Sequence, residues 1–378
     1  AGRPAVGKIK IKALTIKYCT VLNRLRKSQR SNLQSRLTRL KADLDAGHMS
    51  VLPELKSLEQ QLAAHDTRAA HGAQIRSRAQ WVEQGETSSA YFLRMEKKHN
   101  NDSFISAIRS PSGVTHTSLT SVIGVWTDFY KDLYTAVPVD DRLQDDLLSN
   151  LTSFLSPEES AACEGGLSPD ECLCALRGMA TGKAPGLDGF PAEFYTTFWD
   201  LLGSDLVSVL NSCFHSGTLS LSQRRSLITL LYKKNDRLEC KNWRPISLLC
   251  VDYKIASRTI AGRLLKVIAS VTSPDQTCGV PGRFIGSNIS LLRDIVTYVT
   301  AGDLPCAILS LDQEKAFDKV DWQFLLKTLR TMGFGPSFCG WVKLFYTDIQ
   351  SAVIVNGHIS GFFSLSRGVR QGCPLSAL

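Results

Sequence analysis

Residues 309–322 read Leu309-Ser310-Leu311-Asp312-Gln313-Glu314-Lys315-Ala316-Phe317-Asp318-Lys319-Val320-Asp321-Trp322. The run Pro305 to Asp312 is short and apolar and ends in a carboxylate, which predicts a strand carrying Asp312 at its tip. Trp322, Leu325, Leu326 and Leu329 then mark the core face of a helix. A carboxylate delivered at a strand end suits magnesium, which takes a few carboxylates together with phosphate oxygens. Two such cations about 3.5–4 Å apart clamp the attacking and leaving oxygens of a phosphoryl transfer. A helix-capping aspartate is the competing explanation of the same residue.

The flanking sequence supplies the frame. Downstream, Ser351–Val355 and Ile359–Leu365 flank Asn356-Gly357, a strong hairpin signal. Upstream, Ser226 to Lys233 predicts a buried strand, and Ile260, Leu264, Val267, Ile268 and Val271 give the core face of a helix over 252–271. Residues 181–191 hold too many chain breakers for a helix or strand, and a helix is predicted from Ala192 to Phe214. Trp126, Phe129, Tyr130, Leu133 and Tyr134 form an aromatic helical stripe, read as packing, and Ser110-Pro111-Ser112-Gly113 reads as a turn. Arg76 to Lys98, with Trp81, Tyr91 and Phe92, predicts further helix. Near the start, Leu33, Leu37, Leu40, Leu44 and then Leu52, Leu55, Leu58, Leu62 predict an antiparallel helix pair turning at Asp45–His48.

Composition narrows the function classes. With 43% hydrophobic and 21% charged residues, the 378-residue chain can bury two or three domain cores. Its apolar runs fall short of the roughly 18 residues of a membrane span. Ala1 to Lys12 lacks the apolar core of a secretory signal, so the expected location is the nucleus or cytoplasm. The eleven cysteines include no CxxC pair, which argues against structural zinc and for buried reduced thiols. Residues 1–42 hold twelve Lys or Arg and no Asp or Glu. Residues 121–221 are acidic and 222–293 basic, so two separate basic surfaces are expected, with polyanions as their partners. A solvated helical face is the plainer account of such charge.

Five segments carry a resemblance. They are Lys183-Ala184-Pro185-Gly186-Leu187-Asp188-Gly189, Lys241-Asn242-Trp243-Arg244-Pro245-Ile246, the stretch Asp275 to Arg283, the quoted run around Asp312, and Arg367 to Pro374 with Gln371-Gly372-Cys373-Pro374. In this order they resemble the reverse transcriptase of LINE-type (non-LTR) retrotransposons, over roughly residues 76–378. The resemblance implies an α+β fold, the fingers and partial palm of a right-hand polymerase, preceded by a helical region. The expected divisions are a basic helical region at 1–75, a helical extension at 76–180, fingers at 181–300 and palm at 301–378. It also implies a two-metal Mg²⁺ site, an RNA template, a DNA primer and deoxynucleoside triphosphates.

Residue roles come over from the same resemblance. Asp312 is the expected catalytic metal ligand, and Phe317 the residue under the sugar that excludes a 2′-hydroxyl. Lys233 and Arg244 would hold the triphosphate; Gln371 and Gly372 would lie against the nucleotide and template. Lys183, Gly186 and Arg283 would touch template RNA, with Gln276 and Gly282 structural or along its path. The family continues to an aromatic–x–Asp–Asp turn that brings the other metal carboxylates. The chain stops before that turn, so as given it is expected to be a fragment that does not polymerise DNA. No metal-nuclease constellation precedes residue 76. The alternatives are an RNA-dependent RNA polymerase, against which the bulky Phe317 argues, a non-catalytic RNA-binding remnant, and a decayed copy without function.

Overall fold

The computed structural model describes residues 3–46, 48–77, 104–376 and 378. They belong to two compact units, one of residues 6–105 and one of residues 106–378 with the first five residues. The helix expected within Arg76–Lys98 falls largely outside the described residues.

The first unit contains the predicted antiparallel pair. Helix α1 (Arg3–Asp45) turns through a short 3₁₀ segment into α2 (Leu52–Ser77). Leu55 and Leu58 are buried between them, and Arg30–Asp66, Arg36–Glu54 and Lys41–Glu59 ion pairs run along the seam. All three pairs are exposed, so the apolar seam contributes more to the pairing than they do.

The second unit mixes helix and sheet. A two-stranded hairpin, β1 (Ile108–Arg109) and β2 (Thr115–His116), brackets the turn at 110–113, where Gly113 takes a positive φ. Helices α3 (Leu119–Leu133), α4 (Asp141–Ser149), α5 (Pro157–Cys163) and α6 (Pro169–Arg177) follow. Ser156/Glu159 and Ser168/Glu171 form reciprocal capping boxes that satisfy the first free N–H groups of α5 and α6. In α3 the aromatic stripe is packing, as expected: Trp126, Tyr130 and Tyr134 are buried and stack in sequence.

The predicted helix 192–214 forms as two, α7 (Ala192–Thr197) and α8 (Trp199–Ser216). The break falls at Phe198, whose backbone leaves the helical region, and the Trp199 ring then lies against Gly203, where a Cβ would come within 2.6 Å of it. Short α9 (Leu221–Arg224) leads into the main sheet. That sheet contains β3 (Arg225–Tyr232), β4 (Trp243–Leu248), β5 (Gln350–Val355), β6 (His358–Ile359) and β7 (Phe363–Ser364), in the order β4-β3-β5-β6 with β7 also on β5. β3 runs parallel to β5 and antiparallel to β4. Asn356 and Gly357 both take positive φ, as a two-residue hairpin turn requires.

Between the strands the chain forms α10 (Val251–Val271), α11 (Ile285–Ala301), α12 (Trp322–Thr331) and α13 (Pro336–Tyr346). α10 is buried on nearly every side, packing on α5, α6 and α13, which explains its apolar run. Asp321 caps α12 by accepting from Phe324 N at 2.7 Å.

Pro305–Asp312 does not form the predicted strand. It forms no strand or bridge, and Ile308, Leu309 and Leu311 are 62%, 80% and 83% exposed. Among the described residues no strand pairs with it, and both sides of β5 are taken, by β3 and by β6 and β7. A strand is held by its neighbours' N–H and C=O groups, and apolar character alone does not replace them. The thiol expectation also needs correcting in part. Cys163, Cys172, Cys240, Cys250, Cys339 and Cys373 are buried, but Cys19, Cys174, Cys278 and Cys306 are exposed.

Candidate active site

Two segments far apart in sequence are laced together. Val369 N donates to Phe317 O at 2.8 Å, Gly368 N to Val320 O at 2.7 Å, and Trp322 Nε1 to Gly368 O at 2.9 Å. Gly368 sits at φ +82°, and a Cβ there would come within 2.5 Å of Asp318 O, so the lacing requires glycine. Beneath it lies Asp318, 2% exposed, whose Oδ1 accepts from Tyr134 Oη at 3.0 Å and from Gln371 Nε2 at 3.2 Å. One carboxylate therefore ties α3, the segment carrying Phe317 and the segment carrying Gln371.

Burial pushes the Asp318 carboxyl above its ordinary pKa, while the Tyr134 bond, Lys315 and Gln371 oppose that shift. The folded protein consequently holds this proton more tightly than the unfolded chain. The associated stability is complete below the ordinary aspartate pKa and is lost as pH rises through the raised one. Sequence reasoning passed over Asp318, although it stands inside the quoted run. Its partner Tyr134 lies 184 residues away, and no local signal connects them.

The Gln371 loop also grips the sheet. Ser247 N donates to Gln371 O at 2.7 Å, and Gly372, at φ +122°, brings its backbone so close that a Cβ would meet Ser247 O at 2.5 Å. On the neighbouring hairpin, Leu231 and Arg244 are cross-strand partners. Lys233 follows two residues after Leu231, and its N–H donates to Asn242 O at 3.0 Å. Strand side chains alternate, so Lys233 and Arg244 project from the same exposed face of the hairpin.

The loop 181–191 packs on the start of α10. Gly186 is pressed there, since a Cβ would come 2.3 Å from Cys250 N and 2.5 Å from Leu249 C. Lys183 is exposed and shares with Gly372 the wall of a cavity of about 140 Å³. Arg283 is occupied differently: its guanidinium donates to Gln276 O at 2.8 Å, Thr272 O at 3.1 Å and Ala269 O at 3.2 Å, and also to Ser273 O. It caps the free carbonyls at the end of α10. Gln276 shares this turn, its Nε2 donating to Cys278 O at 3.1 Å, and Gly282 takes φ +76° beside Arg283.

Phe317 is 52% exposed at the edge of an apolar cavity of about 410 Å³, whose walls include Ile268, Val320, Leu329 and Val369. Asp312 stands on the exposed segment before it. An exposed carboxylate is the right donor for a hard cation such as Mg²⁺. Among the described residues no group of three ligating side chains gathers around it. The group that does gather is Asp188, Cys250 and Asp252, buried and with ligand atoms within 4.8 Å of one another. It does not fit magnesium: one donor is a soft thiol, and Asp252 already accepts from Gln223 Nε2 and Tyr253 N, each at 2.9 Å.

Residues 232–378 match the family profile described as reverse transcriptase (RNA-dependent DNA polymerase). Over 372 residues the chain is 37% identical to the transposon TX1 uncharacterized 149 kDa protein of Xenopus laevis, covering 98% of this chain and 28% of that protein. It is 26% identical over 214 residues to the retrovirus-related Pol polyprotein from type-1 retrotransposable element R2 of Popillia japonica, covering 56% of this chain and 29% of that protein. Against the corresponding polyprotein from type-2 retrotransposable element R2DM of Drosophila melanogaster the figures are 24% identity, 53% and 18%. The chain thus spans less than a third of the length of each of these relatives. Among the described residues, no helix is long and apolar enough to cross a membrane.

Proposed function

We propose, from the membership of residues 232–378 in the reverse transcriptase domain of non-LTR retrotransposons, that this chain contributes fingers and palm to RNA-templated DNA synthesis. In this reading residues 1–75 are a basic helical region, 76–180 an extension, 181–300 the fingers and 301–378 the palm. The observation that supports it best is the lacing of residues 317–322 to 368–371 around Asp318, with the Gln371 loop bonded to β4. That lacing brings together the segments to which the family resemblance assigns sugar, nucleotide and template.

The residues divide the work by their chemistry. Lys233, a point charge, and Arg244, a planar fork, stand on one face of the β3–β4 hairpin and would receive the triphosphate. Phe317 would lie under the sugar, its backbone held by Val369. Gln371 and Gly372 would border the nucleotide, glycine allowing close approach. Lys183 and the Gly186 loop would lie on the template side. Arg283 would act on the template path indirectly, by fixing the end of α10. Asp312 would offer one carboxylate to Mg²⁺, with phosphate oxygens and the family's Asp–Asp pair supplying the rest. Magnesium would lower the charge on the phosphates and activate the primer hydroxyl. Work on RNA and deoxynucleotides would place the protein in the nucleus or cytoplasm.

The test is nucleotide choice. A protein joining this chain to an aromatic–x–Asp–Asp segment is given an RNA template, a DNA primer and either deoxy- or ribonucleoside triphosphates. Extension with deoxynucleotides is expected, and Phe317→Ala should incorporate ribonucleotides at least about tenfold better, since a pocket contact of this size carries roughly 1–3 kcal/mol of discrimination. Preferential use of ribonucleotides by the unaltered protein would instead identify an RNA polymerase, and unchanged sugar discrimination in Phe317→Ala would remove its gate role.

A further inference from the structure

The cavity of about 140 Å³ beside Gly372 is lined by three cationic side chains, Lys183, Lys254 and Arg258, and its lining includes no carboxylate. Lys183 comes from the 181–191 loop. Lys254 and Arg258 lie one turn apart on α10, a spacing at which like charges repel. Lys254 is half-buried, and its burial lowers the ammonium pKa, with Cys250 and Cys373 opposing. A cation in that position is costly unless an anion joins it.

Two nearby carboxylates are engaged elsewhere. Glu171 lines the adjoining groove with Arg258, but both of its oxygens are engaged by Arg263. Glu193 accepts from Gly182 N. Gly178 makes room for Arg258, since a Cβ there would come within 2.9 Å of the guanidinium. Gly372 and Pro374 complete the wall. A tetrahedral oxyanion suits this arrangement: two point charges and a planar fork converge on a space of its size.

We propose that Lys183, Lys254 and Arg258 form a phosphate-binding site beside Gly372 and Pro374 that holds a backbone phosphodiester of the RNA strand. The anion site stands on the cavity itself. Its assignment to RNA, rather than to a nucleotide's phosphates, rests on the polymerase reading, in which the 181–191 loop lies on the template side. Lys254 and Arg258 then join Lys183 in fixing where that strand enters.

The experiment measures binding of a single-stranded RNA oligonucleotide by fluorescence anisotropy at several salt concentrations, with dTTP binding as the second arm. The proteins are wild type, Lys254→Gln/Arg258→Gln and, on the exposed loop where folding is not at stake, Lys183→Gln. Loss of one neutralised phosphate should flatten the slope of log affinity against log salt by about 0.7. Affinity near physiological salt should fall about tenfold in the double variant and less in Lys183→Gln, with dTTP binding unchanged. Lys254→Arg, which keeps the charge, should bind RNA as wild type does. Unchanged RNA affinity and slope in both neutral variants would overturn the site. A loss confined to dTTP would overturn its assignment to RNA. Because binding is read without synthesis, a protein joined to the aromatic–x–Asp–Asp segment that binds RNA but fails to extend a primer would count against the polymerase reading and leave this site standing.

Discussion

Asp312→Ala, made in a protein that joins this chain to an aromatic–x–Asp–Asp segment, should slow nucleotide addition by about 10³-fold or more, leaving template–primer affinity and melting temperature near wild type. The size follows from the role: a metal ligand governs several kcal/mol of transition-state stabilisation, and each 1.36 kcal/mol is about tenfold in rate. The selectivity follows from the place. Asp312 lies on an exposed, unpaired segment, so its removal takes nothing from the core. Asp312→Asn should be nearly as damaging, because an amide keeps the shape and loses the charge that holds the cation. Single-turnover primer extension beside a thermal melt separates the two effects. A rate within about tenfold of wild type would remove Asp312 from the metal site.

Arg263→Met should be the most destabilising substitution in the second unit, by about 3–5 kcal/mol, the range for breaking a buried charged network. Arg263 is 5% exposed on α10. Its guanidinium donates to both oxygens of Glu171, at 3.0 and 2.8 Å, and to the carbonyls of Cys163, Glu164, Gly165 and Gly166 at 2.7–3.2 Å. It thereby holds the loop between α5 and α6 on α10, and methionine would fill the space while leaving those acceptors without donors. The melting temperature should fall by roughly 10 °C. Arg263→Lys should be almost as harmful, since one ammonium cannot reach acceptors spread across a planar fork. Glu171→Gln should cost less, because the four carbonyl bonds remain and Glu171 is partly exposed. Urea denaturation measures all three; a loss of about 1 kcal/mol or less for Arg263→Met would reduce the network to a surface pair.

What could be read in the sequence was whatever local pattern dictates. β3, α10, the Asn356-Gly357 turn and the breaker-rich 181–191 loop all lie within a residue or two of expectation, because periodicity and turn chemistry are properties of adjacent residues, whereas the arm expected over Ile359–Leu365 divides into His358–Ile359 and Phe363–Ser364. Pro305–Asp312 failed for the opposite reason: its apolar character describes a strand, but forming one needs a neighbour in the sheet. The Phe198 break escaped because nothing at that position resembles a helix stop. At the site, Lys233 and Arg244 were chosen separately by resemblance, and their shared face became visible only with the β3–β4 register. Asp318, Arg263 and the Lys254/Arg258 pair act through partners around a hundred or more residues away or through a cavity, where sequence alone offers no signal.

The location of the metal tests the central claim most directly. With iron(II) replacing magnesium, and template–primer and deoxynucleotide bound, hydroxyl radicals made at the ion cut the nearby polypeptide, and mass spectrometry maps the cuts. Scission beside Asp312 that disappears in Asp312→Ala is the predicted result. Scission confined to the buried Asp188–Cys250–Asp252 group, with the backbone around residue 312 intact, would contradict it.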